Sequence, residues 1–107
     1  MKHLLKLISF WFVLIGFLLF FLGGVMHEKV HVAIFEGYGI DSKIEYFRYF
    51  PDMATVGEEP CPTEECELAH NINEIVSYNL DSFYLLIYVG LTAIIFILEN
   101  KGNKDEN

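Results

Sequence analysis

The sequence predicts a mainly α membrane protein: two transmembrane helices joined by a small, mostly helical extracytoplasmic cap with room for one strand. Three observations carry this expectation. Leu7 to Met26 and Ser82 to Leu98 contain no charged residue, lysines flank the outer ends of both runs, and the segment between them is acidic and holds both cysteines. A helix needs about 20 apolar residues to cross the hydrocarbon layer, with about 17 at the short end of the range. The chain accordingly divides into residues 1–26, a short tail and the first transmembrane helix; 27–81, the acidic loop or cap; 82–98, the second transmembrane helix; and 99–107, a polar tail.

The composition supports this division. Hydrophobic residues make up 53% of the 107-residue chain and aromatics 16%, and the apolar residues gather near the two ends. The first run follows Lys2 and Lys6 as a signal peptide would. It is longer than the roughly 7–15 residues of a signal core, however. No small-x-small cleavage site follows it, Gly23-Gly24 being the nearest candidate, so we read it as an anchor that stays. Orientation follows from the basic residues. Lys2, Lys6, Lys101 and Lys104 lie outside the spans, whereas Lys29, Lys43 and Arg48 are outnumbered by acids in the loop. The positive-inside tendency puts both termini in the cytoplasm and the loop outside, in a two-pass protein of the cell membrane.

The formal net charge of −8 argues against nucleic acid as a partner, because nothing in the chain would neutralise phosphates. Cys61 and Cys66 bracket C-P-T-E-E-C. An even pair in an external loop reads as a disulfide closing a small ring. The other readings are two unrelated thiols or half of a metal site, but C-x4-C alone has too few ligands for structural zinc.

Along the loop, Gly23-Gly24 marks a candidate bend, and Val25 to Glu36 reads as helix stopped by Gly37 and Gly39. Ser42 to Phe50 is rich in aromatic and branched residues and reads as a strand ended by Pro51. Met53 to Thr63 carries Gly57, Pro60 and Pro62 and reads as loop. Thr63 followed by Glu64 and Glu65 opens a second helix, through about Tyr78, with the second span close behind.

The pattern that bears chemistry is His27-Glu28-Lys29-Val30-His31, an H-E-x-x-H. Histidines at i and i+4 on a helix point the same way and can grip one metal ion, and the intervening glutamate then sits where it can take a proton from a water on the metal. His27 and His31 are thus candidate zinc ligands and Glu28 the candidate catalytic base. A catalytic zinc takes one further protein ligand and keeps a position open. The plain alternative is an interfacial helix whose polar face carries two histidines.

Asn73-Glu74, followed by Ser77, resembles the downstream N-E-x-x-S element of the gluzincin metallopeptidases, and that resemblance implies Glu74 as the third ligand. Tyr78 stands where an acidic residue often follows the serine. His70, one turn earlier on the same face, is a substitute ligand. The segment His27 to Phe47 is similar to the first motif region of the site-2 protease family, with Gly39-Ile40 and Ile44 in matching places. Asp81, in Leu80-Asp81-Ser82, is a weaker match to that family's L-D-G element and a third candidate. The resemblance therefore implies a zincin-type membrane metallopeptidase and leaves the family open.

The expected function is a small integral-membrane zinc metallopeptidase that hydrolyses peptide bonds near the outer membrane surface, with Tyr78 or His70 available to steady the oxyanion. A loop of this size offers little core. The bilayer, a second copy or a larger membrane complex must help to align a peptide or membrane-protein substrate. The alternative is a non-enzymatic accessory subunit of a membrane complex, its cap serving as a docking or structural metal-binding module.

Overall fold

The computed structural model describes residues 2–47 and 53–105. Helix α1 spans Lys2–Gly37, strand β1 Ser42–Tyr46, strand β2 Met53–Gly57 and helix α2 Glu64–Asp105. The protein is mainly α, with a two-stranded hairpin between two long apolar helices. It divides into two compact units: Phe21–Leu80, and Met1–Phe20 together with Asp81–Asn107.

The helices have 36 and 42 residues. At about 1.5 Å per residue each is far longer than the ~30 Å of a bilayer's hydrocarbon, so each has length to spare for the cap. Both are long and apolar enough to cross a membrane, with window hydropathies of 2.4 and 2.0. Only 6% and 0% of those windows are buried. A soluble protein's core helix would be covered; exposed apolar faces of this extent mark a surface for lipid or for another protein.

In the unit of Met1–Phe20 and Asp81–Asn107, tyrosines of α2 meet glycine and backbone of α1. Tyr84 Oη donates to Gly16 O at 2.6 Å and Tyr88 Oη to Val13 O at 3.1 Å. Phe12 stacks on Tyr88 with ring centroids 5.5 Å apart, and Phe20 stacks on Tyr84 at 6.1 Å. Gly16 permits this approach, because a Cβ there would run into the Tyr88 ring. Ser9 and Thr92 return their hydroxyls to the carbonyls of Leu5 and Tyr88, four residues back. Polar groups in an apolar span need such internal partners, since lipid offers none.

In the unit of Phe21–Leu80, α1 ends in a Schellman motif. Gly39, at φ 74°, donates to Glu36 O, and Ile40 N donates to Phe35 O, each at 2.9 Å. The expected stop at the Gly37–Gly39 pair is met, and Gly39 is the residue that supplies the left-handed turn. Ile40, which follows it, is buried. Thr63 caps α2 as expected: its Oγ1 accepts from Cys66 N at 3.2 Å, ahead of an acidic first turn of Glu64, Glu65 and Glu67. From that cap α2 runs without a break into the second apolar segment.

Two expectations change. Gly23-Gly24 does not interrupt α1, which is helical from Lys2 to Gly37. Gly24 instead leaves room for Met53, whose Cε would lie 2.8 Å from a Cβ there. And the expected loop from Met53 contains a second strand. β1 and β2 pair antiparallel, from Ser42 opposite Gly57 to Tyr46 opposite Met53. Met-Ala-Thr-Val-Gly alternates too briefly to announce a strand; the pairing with Ser-Lys-Ile-Glu-Tyr creates it. The expected first strand stops at Tyr46, because Phe47 turns to φ 57°, and residues 48–50 and Pro51 lie outside the described residues.

Phe35 ties the cap together. Its ring is 4.4 Å from that of His70 on α2 and would meet a Cβ at Gly57 on β2 at 2.8 Å. The Cys61–Cys66 disulfide, with Cα atoms 5.6 Å apart, pins the loop between β2 and α2, and Cys66 is fully buried.

Glycine substitutions test the tyrosine contacts. Gly16→Val should destabilise the detergent-solubilised protein by about 1–3 kcal/mol through overpacking against Tyr88. Gly23→Ala, with nothing within 4 Å, should be neutral or gain up to about 1 kcal/mol of helix propensity. Thermal unfolding followed by circular dichroism reads both.

Candidate metal centre

α1 carries His27 and His31 one turn apart, with ring centroids 4.7 Å from each other. α2 brings Glu74 to both. Glu74 Oε1 is 2.9 Å from His31 Nε2 and 3.4 Å from His27 Nε2. A ligand atom from each of the three lies within 4.8 Å of the other two, so His27, His31 and Glu74 form a group able to hold a metal ion. His31 is buried at 8% exposure, whereas the Glu74 side chain is 38% exposed. The group is sheltered on the α1 side and open on the side of Glu74.

The far nitrogens of both rings are also engaged. His27 Nδ1 is 2.6 Å from Ser77 Oγ, and His31 Nδ1 is 2.6 Å from His70 Nδ1. A metal held at both Nε2 atoms needs the ring proton on Nδ1 in each case, donated to Ser77 Oγ and His70 Nδ1, whereas the His31 Nε2–Glu74 Oε1 hydrogen bond takes a proton on Nε2 that an entering ion would replace. Asn73 Nδ2 donates to the backbone O of His27 at 3.3 Å. Asn73, Glu74 and Ser77 of the N-E-x-x-S element therefore all meet the H-E-x-x-H helix.

The two spacings from Glu74 suit a tetrahedral ion. Two ligand atoms each about 2.0–2.1 Å from zinc lie about 3.3–3.4 Å apart at the tetrahedral angle. The His27–Glu74 separation already has that value, and the shorter His31–Glu74 contact must open by only a few tenths of an ångström.

Glu28 stands beside the group. It is buried at 7% exposure, and its Oε1 is 3.7 Å from His27 Nε2. Thr55 on β2 holds the other side: its Oγ1 lies 2.7 Å from Glu28 Oε2 and 3.0 Å from Glu28 O. The hairpin therefore fixes the carboxylate with one oxygen toward the histidines. Thr55 was not foreseen, because its segment reads as loop and nothing local marks it. Asn73 and Ser77 stand in the motif, but which atoms of α1 they would meet could not be read from it.

The remaining candidates separate. His70 sits on the far nitrogen of His31, away from Glu74, where it orients the ring and does not join the three donors. Burial, with repulsion from His31, lowers its pKa from 6.5 against a smaller opposing pull from Glu74. The two Nδ1 atoms of His70 and His31 share one proton, and the lowered pKa favours the neutral ring on His70. Asp81 belongs to the other compact unit. Tyr78, the candidate oxyanion partner, is 67% exposed.

Thr55→Val removes the hydroxyl but keeps the volume, leaving a buried carboxylate oxygen without its partner. The variant should lose about 1–3 kcal/mol in thermal unfolding, and Thr55→Ser should retain most of the stability. Compared with known proteins, the chain matches no family model, no curated protein and no solved structure, so the site stands on its own residues.

Proposed function

We propose that this chain is a small membrane-anchored zinc metallopeptidase of the zincin type, with the gluzincin arrangement of ligands. The observation that carries the reading is the convergence of His27 Nε2, His31 Nε2 and Glu74 Oε1 beside the buried Glu28 carboxylate. Two imidazoles and one carboxylate suit zinc better than calcium or magnesium, which take oxygen ligands. Three protein donors leave a fourth position for water, as catalytic sites do and closed structural sites do not.

Bound there, zinc would polarise a peptide carbonyl and acidify a water. The protein's own groups do the rest. Glu28 Oε1, turned toward the triad while Thr55 holds Oε2, takes the proton from the attacking water and returns it to the departing amine. Ser77 and His70 keep the two imidazoles in the ligating tautomer. Because His27 directly follows the charge-free run ending at Met26 in one continuous helix, the substrates we propose are membrane-proximal peptide segments on the outer face. The acidic loop would lie outside and both termini in the cytoplasm, with the bilayer, a second copy or a larger complex completing the substrate cleft.

The competing reading is an accessory subunit of a membrane complex whose cap binds metal for structure alone. Glu28→Gln separates the two. Zinc-loaded protein should cleave a mixture of unstructured peptides, read by mass spectrometry. The Glu28→Gln variant should keep about one zinc per chain and lose cleavage. Equal, background-level cleavage by both would favour the accessory reading. His31→Ala should lose the zinc in elemental analysis, and Ser77→Ala should bind it about 10–100-fold more weakly.

A further inference from the structure

We infer that Cys61, Cys66 and His70 form a second metal site when their disulfide is reduced, one that takes a thiophilic ion of the zinc class and excludes metal from the first site. In the oxidised protein the two sulfurs are bonded, and a ring nitrogen of His70 lies within 4.8 Å of both. Cys66 and His70 are one turn apart on α2, while Cys61 approaches from the loop. His70 Nδ1 is taken by His31, so the nitrogen left for a metal is Nε2. That atom is buried and has no hydrogen-bond partner among the described residues. A histidine next to two sulfurs, with one buried ring nitrogen otherwise unused, is what a site of two thiolates and one imidazole requires. Tetrahedral zinc would set the sulfurs about 3.7–3.8 Å apart, a separation open to them once the bond between them is broken.

The chemistry balances with an external dithiol. Its two thiols become a disulfide, and Cys61 and Cys66 take up the two electrons and two protons as their bond breaks. The entering ion then displaces both protons as the thiolate–metal bonds form.

The antagonism, which rests on the reading of His27, His31 and Glu74 as the first site, follows from the His31–His70 contact. A neutral imidazole that ligates through Nε2 carries its proton on Nδ1. If both histidines did so at once, two N–H groups would face each other across 2.6 Å. One proton between the two nitrogens is acceptable and two are not. Filling the thiolate site therefore gives His70 the shared proton, puts the His31 proton on Nε2, and closes that ligand position. Reduction in the presence of zinc would switch the peptidase off.

Cadmium titration of the detergent-solubilised full chain tests the site, because thiolate–cadmium bonds absorb in the ultraviolet. After reduction by a phosphine, about one cadmium per chain should bind with that absorption, and the oxidised protein should show none. Cys61→Ser should abolish it. His70→Ala should weaken it at least about tenfold, since losing a ligand costs no less than losing an outer partner. His31→Ala, which removes the first site, should leave it intact. No thiolate absorption in the reduced chain, or unchanged affinity in His70→Ala, would overturn the proposal. Failure of the first site would appear separately, as absence of zinc from the oxidised chain.

Discussion

His31 is gripped by α2 at both ring nitrogens, by Glu74 at one and His70 at the other. A buried histidine of this kind has few alternatives, because an imidazole nitrogen removed from water must find a partner. The two contacts lie one turn apart on α2, which fixes both the height and the rotation of that helix against α1 within the cap. Asn73 on His27 O and Ser77 on His27 Nδ1 repeat the constraint one turn away. Among the described residues the cap has little apolar core beyond Ile40 and Cys66, so polar contacts set their geometry to an unusual degree. Such contacts specify one register, because a shift by one residue would strand several buried polar atoms together.

The hairpin and the disulfide support this arrangement from either side. β2 places Thr55 against Glu28 and Gly57 against Phe35, and Phe35 in turn backs His70. The Cys61–Cys66 bond holds the entry to α2 next to the same histidine. Strand β2 thus reaches Glu28 beside the metal-binding group and Phe35 behind His70, and the disulfide lies next to His70 itself. In a domain too small to pack a large core, the residues that organise the fold and those that form the site are the same ones.

The features visible in the sequence were those with a local period or a local chemical signature. Charge-free runs announced the apolar helices, Thr63 with its following glutamates announced a cap, and Gly39 announced a helix stop. His27 and His31 announced a shared face, because i and i+4 spacing fixes direction without knowledge of the fold. Hidden were the features that depend on pairing across the chain. β2 exists because β1 lies beside it, Thr55 matters because that pairing turns it toward Glu28, and Gly24 serves a methionine far along the chain, not a bend. Glu74 and His70 were equivalent as ligand types on one helix face. Only their positions against His31, one on each nitrogen, assign them different work.

The central claim is that one ion is held by His27, His31 and Glu74 in the oxidised protein. X-ray absorption at the zinc edge, on disulfide-intact protein loaded with one equivalent, tests it most directly. The account predicts two imidazoles and oxygen donors at about 2.0–2.1 Å with no sulfur shell, and loss of the bound zinc in Glu74→Ala. A sulfur shell at about 2.3 Å, or a spectrum unchanged by Glu74→Ala, would contradict it.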